Sequence, residues 1–100
     1  MFIAMNRFKV TLGKEQDFED VWRKRESRLN DVPGFKTFHL LRGPEQEDHT
    51  LFASHTVWDS KNTFDDWTHS DAFKQVHAQA GQTKGLYLGH PNFEGFDVVL

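Results

Sequence analysis

Residues 35–58 read FKTFHLLRGPEQEDHTLFASHTVW, two apolar segments joined by a polar turn. The segments at residues 35–42 and 49–58 have the length and the bounding turn residues that are typical of strands. The connection at residues 43–48 is longer than a tight hairpin but suits a meander of neighbouring strands. Helical patterns precede and follow this strand pair in the sequence, and this order of elements decides the fold class.

The residues before this pair predict a strand and then a helix. Residues 2–10 carry apolar side chains at alternate positions, and a helical spacing begins after Gly13. The alternating residues are Phe2, Ala4, Phe8 and Val10, and the helical ones are Phe18, Val21, Trp22 and Leu29. We expect this first helix to end near residues 30–31, ahead of Pro33 and Gly34.

Two short helices are predicted after the strand pair. Asp59 or Ser60 can cap the first helix, and Ser70 can cap the second. Their inward positions are Phe64 and Trp67 in the first helix and Phe73, Val76, His77 and Ala80 in the second. The chain then continues through a loop at residues 81–85, an extended stretch at 86–88 and a closing strand at 96–100 that follows Pro91 and Gly95.

The resulting order, β-α-β-β-α-β, is the ferredoxin-like split arrangement of the α+β class, with an antiparallel sheet. The absence of repeats and long linkers gives one domain over residues 1–100. Helices then cover one sheet face, whereas the strands are apolar on both faces, as Phe52 and Trp58 against Leu51 and Val57 illustrate. A second copy packed sheet to sheet would bury the other face, so we predict a homodimer.

The composition excludes several classes of function. The net charge is −3 with acidic and basic residues interleaved, so we expect no nucleic-acid partner. The chain has no cysteine, which excludes disulfides, thiolate-held metals, a nucleophilic cysteine and covalent c-type haem attachment. No segment approaches a membrane-spanning length and the first residues lack a cleavage site, so we expect a cytoplasmic protein with no membrane partner.

Three residues are candidates for chemistry. Asn6 falls on the apolar face of the first strand, where it either bonds to backbone at a bulge or donates to a ligand. His77 lies on the inward stripe of its helix, where a satisfied core histidine is commoner than a metal ligand. Trp67 also faces inward, where core packing is commoner than ligand contact. The other histidines form no HExxH motif, although His39 and His55 could approach each other on adjacent strands.

A longer motif carries a resemblance to a known family. It runs Val57-Trp58-x-Ser60-Lys61-x-x-Phe64-x-x-Trp67-x-x-Ser70-Asp71-x-Phe73-Lys74-x-x-His77, accompanied by Met5-Asn6-Arg7-Phe8 and Pro33-Gly34-Phe35. These motifs resemble the bacterial Isd-type (iron-regulated surface determinant) haem-degrading monooxygenases of the antibiotic-biosynthesis-monooxygenase superfamily. Many superfamily members share the tryptophan helix without binding haem. The discriminating set is Asn, Trp and His together, which this chain has as Asn6, Trp67 and His77.

The resemblance implies a dimeric α+β barrel in which haem is both substrate and cofactor. His77 would be the proximal ligand of the haem iron, Asn6 would donate a hydrogen bond on the distal side, and Trp67 would distort the porphyrin. The remaining haem contacts would be Phe64, Phe73 and Arg25, the last near a propionate. O₂ and an external electron donor, served by an unidentified reductase, would open the ring and yield iron and a linear tetrapyrrole such as biliverdin, a step in iron acquisition.

Two other functions stay open. A cofactor-free monooxygenase acting on a small phenol or quinol would share the fold but would bind no stoichiometric hemin. A non-catalytic haem carrier would share the His77 ligand but would leave the porphyrin intact. Hemin binding separates the first alternative from haem degradation, and the fate of the porphyrin spectrum under reductant separates the second.

Overall fold

The computed structural model describes residues 1–26, 29–71, 73 and 85–100, apart from the side chains of Arg25 and Glu26. The elements in chain order are β1 (Phe2–Thr11), α1 (Glu15–Glu26), β2 (Phe35–Glu45), β3 (His49–Trp58), α2 (Lys61–Thr68) and β4 (Tyr87–Asp97). Neither described helix is long and apolar enough to cross a membrane.

The four strands form one antiparallel sheet in the order β2-β3-β1-β4. The central strand β1 pairs with β3 on one side and with β4 on the other, which confirms the predicted ferredoxin-like split arrangement. The face of the sheet that packs against the helices is called the helix-facing side below, and the opposite face is called the outer side.

The core consists of two aromatic clusters at opposite ends of β1 on the helix-facing side. The α1 cluster has Phe8, Val10, Phe18 and Phe52 at its centre. The α2 cluster has Phe2, Ala4 and Trp58 at its centre, with Phe64 and Trp67 packed against them. Burial of these side chains, at about 1.5–3 kcal/mol for a large apolar group, is what holds each helix to the sheet.

The first helix is shorter than its apolar spacing predicts. The helix α1 is described to Glu26, and Leu29 already lies in a turn in which its carbonyl accepts a hydrogen bond from the Val32 N–H at 3.0 Å. Leu29 is nevertheless buried. The residue therefore continues the apolar pattern because it packs into the core, although it is no longer helical.

The last strand also differs from the prediction of two separate extended stretches. A single strand, β4, runs through Pro91 and Gly95 and ends at Asp97, so residues 98–100 lie outside it. Its pairing with β1 shifts between Arg7 and Lys9, beside Pro91. Proline is tolerated there because an irregular position on an edge strand requires no ladder hydrogen bond from it. Strand β2 likewise extends past Arg42, its predicted last residue, and ends at Glu45. Its pairing with β3 shifts register between Arg42 and Glu45.

The outer side of the sheet carries apolar side chains that neither described helix covers. Leu41 and Phe96 are exposed there, and Ile3, Leu51 and Val57 are half-buried. The rings of His39 and His55 also meet on this side with their centroids 6.4 Å apart, as the sequence suggested. The outer side is thus the part of the described surface that a second copy would cover.

Candidate functional site

Asn6 lies on the helix-facing side of β1, between Ala4 and Phe8, as the alternation of the strand predicts. In the strand register, Asn6 lies directly opposite Ser54 on β3 and Phe93 on β4. Ser54 is buried, whereas Asn6 is half-buried and not fully buried as the sequence suggested. It lies on β1 between Ala4 of the α2 cluster and Phe8 of the α1 cluster, and it belongs to neither cluster.

Trp67 projects from α2 onto the α2 cluster, as its helical spacing predicts. Its ring centroid lies 5.3 Å from that of Trp58, 6.1 Å from that of Phe64 and 4.8 Å from that of Phe73. The contact with Phe73 is edge-to-face, a favoured geometry for aromatic pairs. Since Trp67 is only half-buried, one part of the ring packs in the core while another part stays accessible.

The start of α2 is fixed by a capping box. The Ser60 hydroxyl accepts a hydrogen bond from the Thr63 N–H at 3.2 Å, and the Thr63 hydroxyl accepts one from the Ser60 N–H at 3.3 Å. Of the two predicted caps, Ser60 is therefore the one used. The hydroxyl of Ser70 accepts a bond from the Phe73 N–H at 3.2 Å, which agrees with the second predicted cap.

A close contact seats α2 on the turn before β2. Gly34 has a φ of 83°, and a Cβ placed on it would lie 2.4 Å from the Thr63 Cβ. The Asp59 N–H also donates to the Gly34 carbonyl at 2.8 Å. Only glycine combines this backbone conformation with such an approach, so the Pro33-Gly34 turn sets the position of the helix that carries Trp67.

Three further residues of this region were not assigned to the candidate site from the sequence. Trp58 is fully buried, and its indole N–H donates to the Thr56 hydroxyl at 2.9 Å. Ser54 and Phe93 flank Asn6 across the sheet. Alternation along β3 puts Ser54 on the same face as Trp58 and could have identified it. Phe93 lies in the regular part of the β1–β4 pairing, which the predicted closing strand at residues 96–100 did not include.

Two predicted site residues fall outside this description. His77 lies outside the described residues, and so does the side chain of Arg25, whose backbone belongs to α1. In the described part of the chain no three His, Cys, Asp or Glu side chains are grouped so that they could hold a metal ion. The described part of the candidate site thus offers uncharged groups, namely aromatic ring faces and the Asn6 amide.

A separate groove of about 290 Å³ lies between α1 and β2. The stacked rings of Trp22 and Phe38, with centroids 5.6 Å apart, form one wall, and Arg23 and Arg42 contribute cationic groups. This groove belongs to the α1 cluster and contains neither Asn6 nor Trp67. It is therefore distinct from the described part of the candidate site.

The fold and the side chains on its helix-facing side define a small ferredoxin-like α+β domain with an aromatic and amide-bearing candidate site between sheet and helices. Comparison with known families gives a match over residues 1–79 to the model described as "Antibiotic biosynthesis monooxygenase". The chain belongs to this family of monooxygenases. This finding confirms the predicted superfamily and the predicted ferredoxin-like α+β fold of the single chain.

Three known proteins are similar to this chain. Heme oxygenase (staphylobilin-producing) 1 of Staphylococcus aureus strain Newman is 36% identical over 76 residues, or 76% of this chain and 70% of the relative. The heme-degrader MhuD of Mycobacterium tuberculosis, solved with two hemes in its active site, is 27% identical at a TM-score of 0.76, covering 100% of this chain and 97% of that one. The cofactor-independent oxygenase SnoaB of Streptomyces nogalater is 21% identical at a TM-score of 0.73, covering 99% and 93%, and shows the shared fold alone.

Proposed function

We propose that this chain is a haem-degrading monooxygenase. Haem would be the substrate and would also supply the iron at which O₂ reacts, with electrons from an external donor. The products would be iron, a linear tetrapyrrole such as biliverdin, and the excised meso carbon as a one-carbon compound. The observation that carries the proposal is the arrangement of Asn6 on β1 and Trp67 on α2, both next to the α2 cluster. The relatives that degrade haem support the same choice.

The chemistry of the described side chains suits a flat apolar ligand. Trp67, Phe64 and Phe73 form a connected set of rings, and aromatic pairs contribute about 0.5–1.5 kcal/mol beyond the burial of their area. A porphyrin offers a planar face to such a surface. Trp67 would press against the macrocycle and bend it, because the Trp67 ring is itself supported by Trp58, with the two centroids 5.3 Å apart.

Asn6 provides a polar group on an otherwise aromatic surface. Its side-chain N–H would donate a hydrogen bond on the distal side of a bound haem, where charge would develop during the reduction of O₂. A donor that a strand holds in place needs little reorganisation during the reaction, which is the usual source of large electrostatic rate effects. Neighbouring Ser54 and Ala4 are small, so they leave room beside the amide.

His77 is the proposed ligand of the haem iron, through a neutral imidazole nitrogen. The support is the position of His77 in the sequence. It follows Phe73 by four residues, and the Phe73 ring contacts the Trp67 ring. Four residues of chain span at most about 14 Å, a length that allows the imidazole to reach a ligand bound at the aromatic set. Arg25, on α1, is the proposed partner of a propionate, since a guanidinium binds carboxylates in a bidentate manner.

The proposal includes a homodimer formed through the outer side of the sheet. Its support is the apolar surface there, which includes Leu41, Val57 and Phe96. Replacing Val57 by lysine would place two charges in the interface of a symmetric dimer and should give a monomer in analytical ultracentrifugation. A wild-type protein that sediments as a monomer at micromolar concentration would contradict the homodimer but not the site.

Hemin titration tests the proposed function against its alternatives. The purified protein should bind hemin with a saturable Soret band, and His77→Ala should remove the ligation that shapes this band. A cofactor-free quinol or phenol monooxygenase would bind no stoichiometric hemin and would be indifferent to His77→Ala. A haem carrier would bind hemin but would transfer it to an acceptor such as apomyoglobin without loss of the porphyrin.

A further inference from the structure

Four large apolar side chains within the described strands are exposed: Leu41 at 43%, Leu88 at 41%, Phe93 at 51% and Phe96 at 45%. The strand register assigns Leu41, Leu88 and Phe96 to the outer side of the sheet. A second copy covering that side would account for these three. Phe93 pairs with Asn6 and therefore lies on the helix-facing side, where this explanation does not apply.

The Phe93 ring is held in a defined position. It stacks on Phe64 with the centroids 5.6 Å apart and the planes within 5° of parallel. The Phe64 ring in turn packs against two other rings, with its centroid 5.4 Å from that of Phe2 and 6.1 Å from that of Trp67. Phe93 is thus the exposed end of a series of rings that begins in the core, and it is not an isolated surface residue.

A glycine makes this arrangement possible. A Cβ placed on Gly95 would lie 2.7 Å from the Phe2 ring and 3.6 Å from the Phe93 ring. The strand β4 therefore has no side chain between these two rings, which lets both lie close to the sheet. One ring face of Phe93 is used for stacking on Phe64, and about half of the side chain remains open to a ligand.

We propose that Phe93 contacts the substrate and helps to select a planar apolar macrocycle. This inference rests on the proposed function and extends its site from Trp67, through Phe64, to the edge of the sheet beside Asn6. An ordered and accessible aromatic ring gains contact area on binding without losing much conformational freedom. Phe93 acts through stacking with the tetrapyrrole, so its contribution does not depend on the iron.

Metal-free protoporphyrin IX is the probe that isolates this contact, because it cannot be ligated through iron. Its affinity is measured by fluorescence titration for the wild type, Phe93→Ser, Phe93→Leu and Leu12→Ser. Leu12→Ser is the control, since Leu12 is an exposed apolar residue in the turn after β1, outside both the candidate site and the strands of the sheet. We expect Phe93→Ser to weaken binding at least fivefold, Phe93→Leu to weaken it less, and Leu12→Ser to leave it within twofold of wild type.

The outcomes distinguish this inference from the proposed function. Equal affinities of wild type and Phe93→Ser would overturn the role of Phe93 and leave haem degradation intact. A wild-type protein that binds neither hemin nor protoporphyrin IX would overturn both. If Phe93→Ser fails to fold, Phe93→Leu decides, and an affinity equal to wild type in that variant would exclude a need for the ring. A Phe93 variant that binds porphyrin normally but changes the sedimentation coefficient would assign the ring to a subunit contact instead.

Discussion

Asn6 and Ser54 lie directly opposite each other on β1 and β3, on the side of the sheet that faces the helices. The α2 cluster begins at Ala4 on one side of this polar pair, and the α1 cluster begins at Phe8 on the other. A polar pair at this point interrupts what would otherwise be a continuous apolar core. Burying polar groups costs free energy unless they are hydrogen-bonded, so polar side chains at this position favour a functional role over a purely structural one.

Replacing Asn6 by alanine should slow haem degradation without removing hemin binding. The loss of one preorganised donor should cost at least tenfold in rate, which corresponds to about 1.4 kcal/mol. The rate is measured as the decay of the Soret band under reductant and O₂. Asn92→Ala provides the control, since Asn92 is an exposed amide that pairs with Arg7 on the outer side. Equal decay rates of the two variants would show that the Asn6 amide has no catalytic role.

Replacing Trp67 by leucine should retain the fold and reduce the rate of ring opening, because a smaller side chain no longer presses on the macrocycle. Phe35→Leu is the matched variant. Phe35 belongs to the same α2 cluster, and its ring centroid lies 5.6 Å from that of Trp58. Among the described rings, those that contact Trp67 are Trp58, Phe64 and Phe73. Both variants should lose about 1–3 kcal/mol of stability. A rate loss of the same size in both would mean that packing alone explains the effect of Trp67.

Gly34→Ala should destabilise the protein more than Gly13→Ala. Both glycines have a positive φ, 83° and 85°, so alanine is strained at either position by roughly 1–2 kcal/mol. At Gly34 the added Cβ also meets Thr63 at 2.4 Å, whereas nothing lies within 4 Å at Gly13. We expect overpacking to add about 1–3 kcal/mol to the loss for Gly34→Ala, measured as the free energy of unfolding in urea. Equal losses would show that the turn does not hold α2.

The Glu15 carboxylate accepts hydrogen bonds from its own backbone N–H and from the buried Thr50 hydroxyl, the latter at 2.9 Å, and these lower its pKa. Because the pKa of Glu15 is lower in the folded state, the ionised carboxylate stabilises the protein at pH values above the ordinary pKa of a glutamate. This stabilisation is lost as the pH falls through the lowered pKa. Thr50→Val should therefore raise the pKa of Glu15 and reduce stability at neutral pH, with a difference from wild type that shrinks in acid. Thr50→Ser, which keeps the hydroxyl, should retain the lowered pKa in an NMR titration. A difference that persists unchanged at low pH would indicate lost packing instead.

Much of the fold follows from local sequence patterns. The alternation in residues 2–10 and the strand pair at residues 35–58 predicted β1, β2 and β3 because strand period and turn residues are local properties. The Ser60 cap was predictable for the same reason. The exact end of α1 was not, since Leu29 shows that an apolar residue can continue a helical spacing from within a turn.

The candidate site was predictable only in part. Helical spacing placed Trp67 on the inward face of α2, and strand alternation placed Asn6 on the helix-facing side of β1. Phe93 was missed because the predicted closing strand began at residue 96, whereas β4 runs from Tyr87 to Asp97 and pairs Phe93 with Asn6. The contact of Gly34 with Thr63 joins residues far apart in sequence, so no local pattern could have predicted it.

The most direct test of haem degradation is the absorption spectrum of the hemin complex over time, with ascorbate, O₂ and catalase present. We expect the Soret band to decay, a chelator such as ferrozine to report the released iron, and an anaerobic sample to keep its porphyrin spectrum. His77→Ala should abolish the decay. A hemin-saturated wild-type protein whose Soret band survives reductant and O₂ would contradict the proposed function.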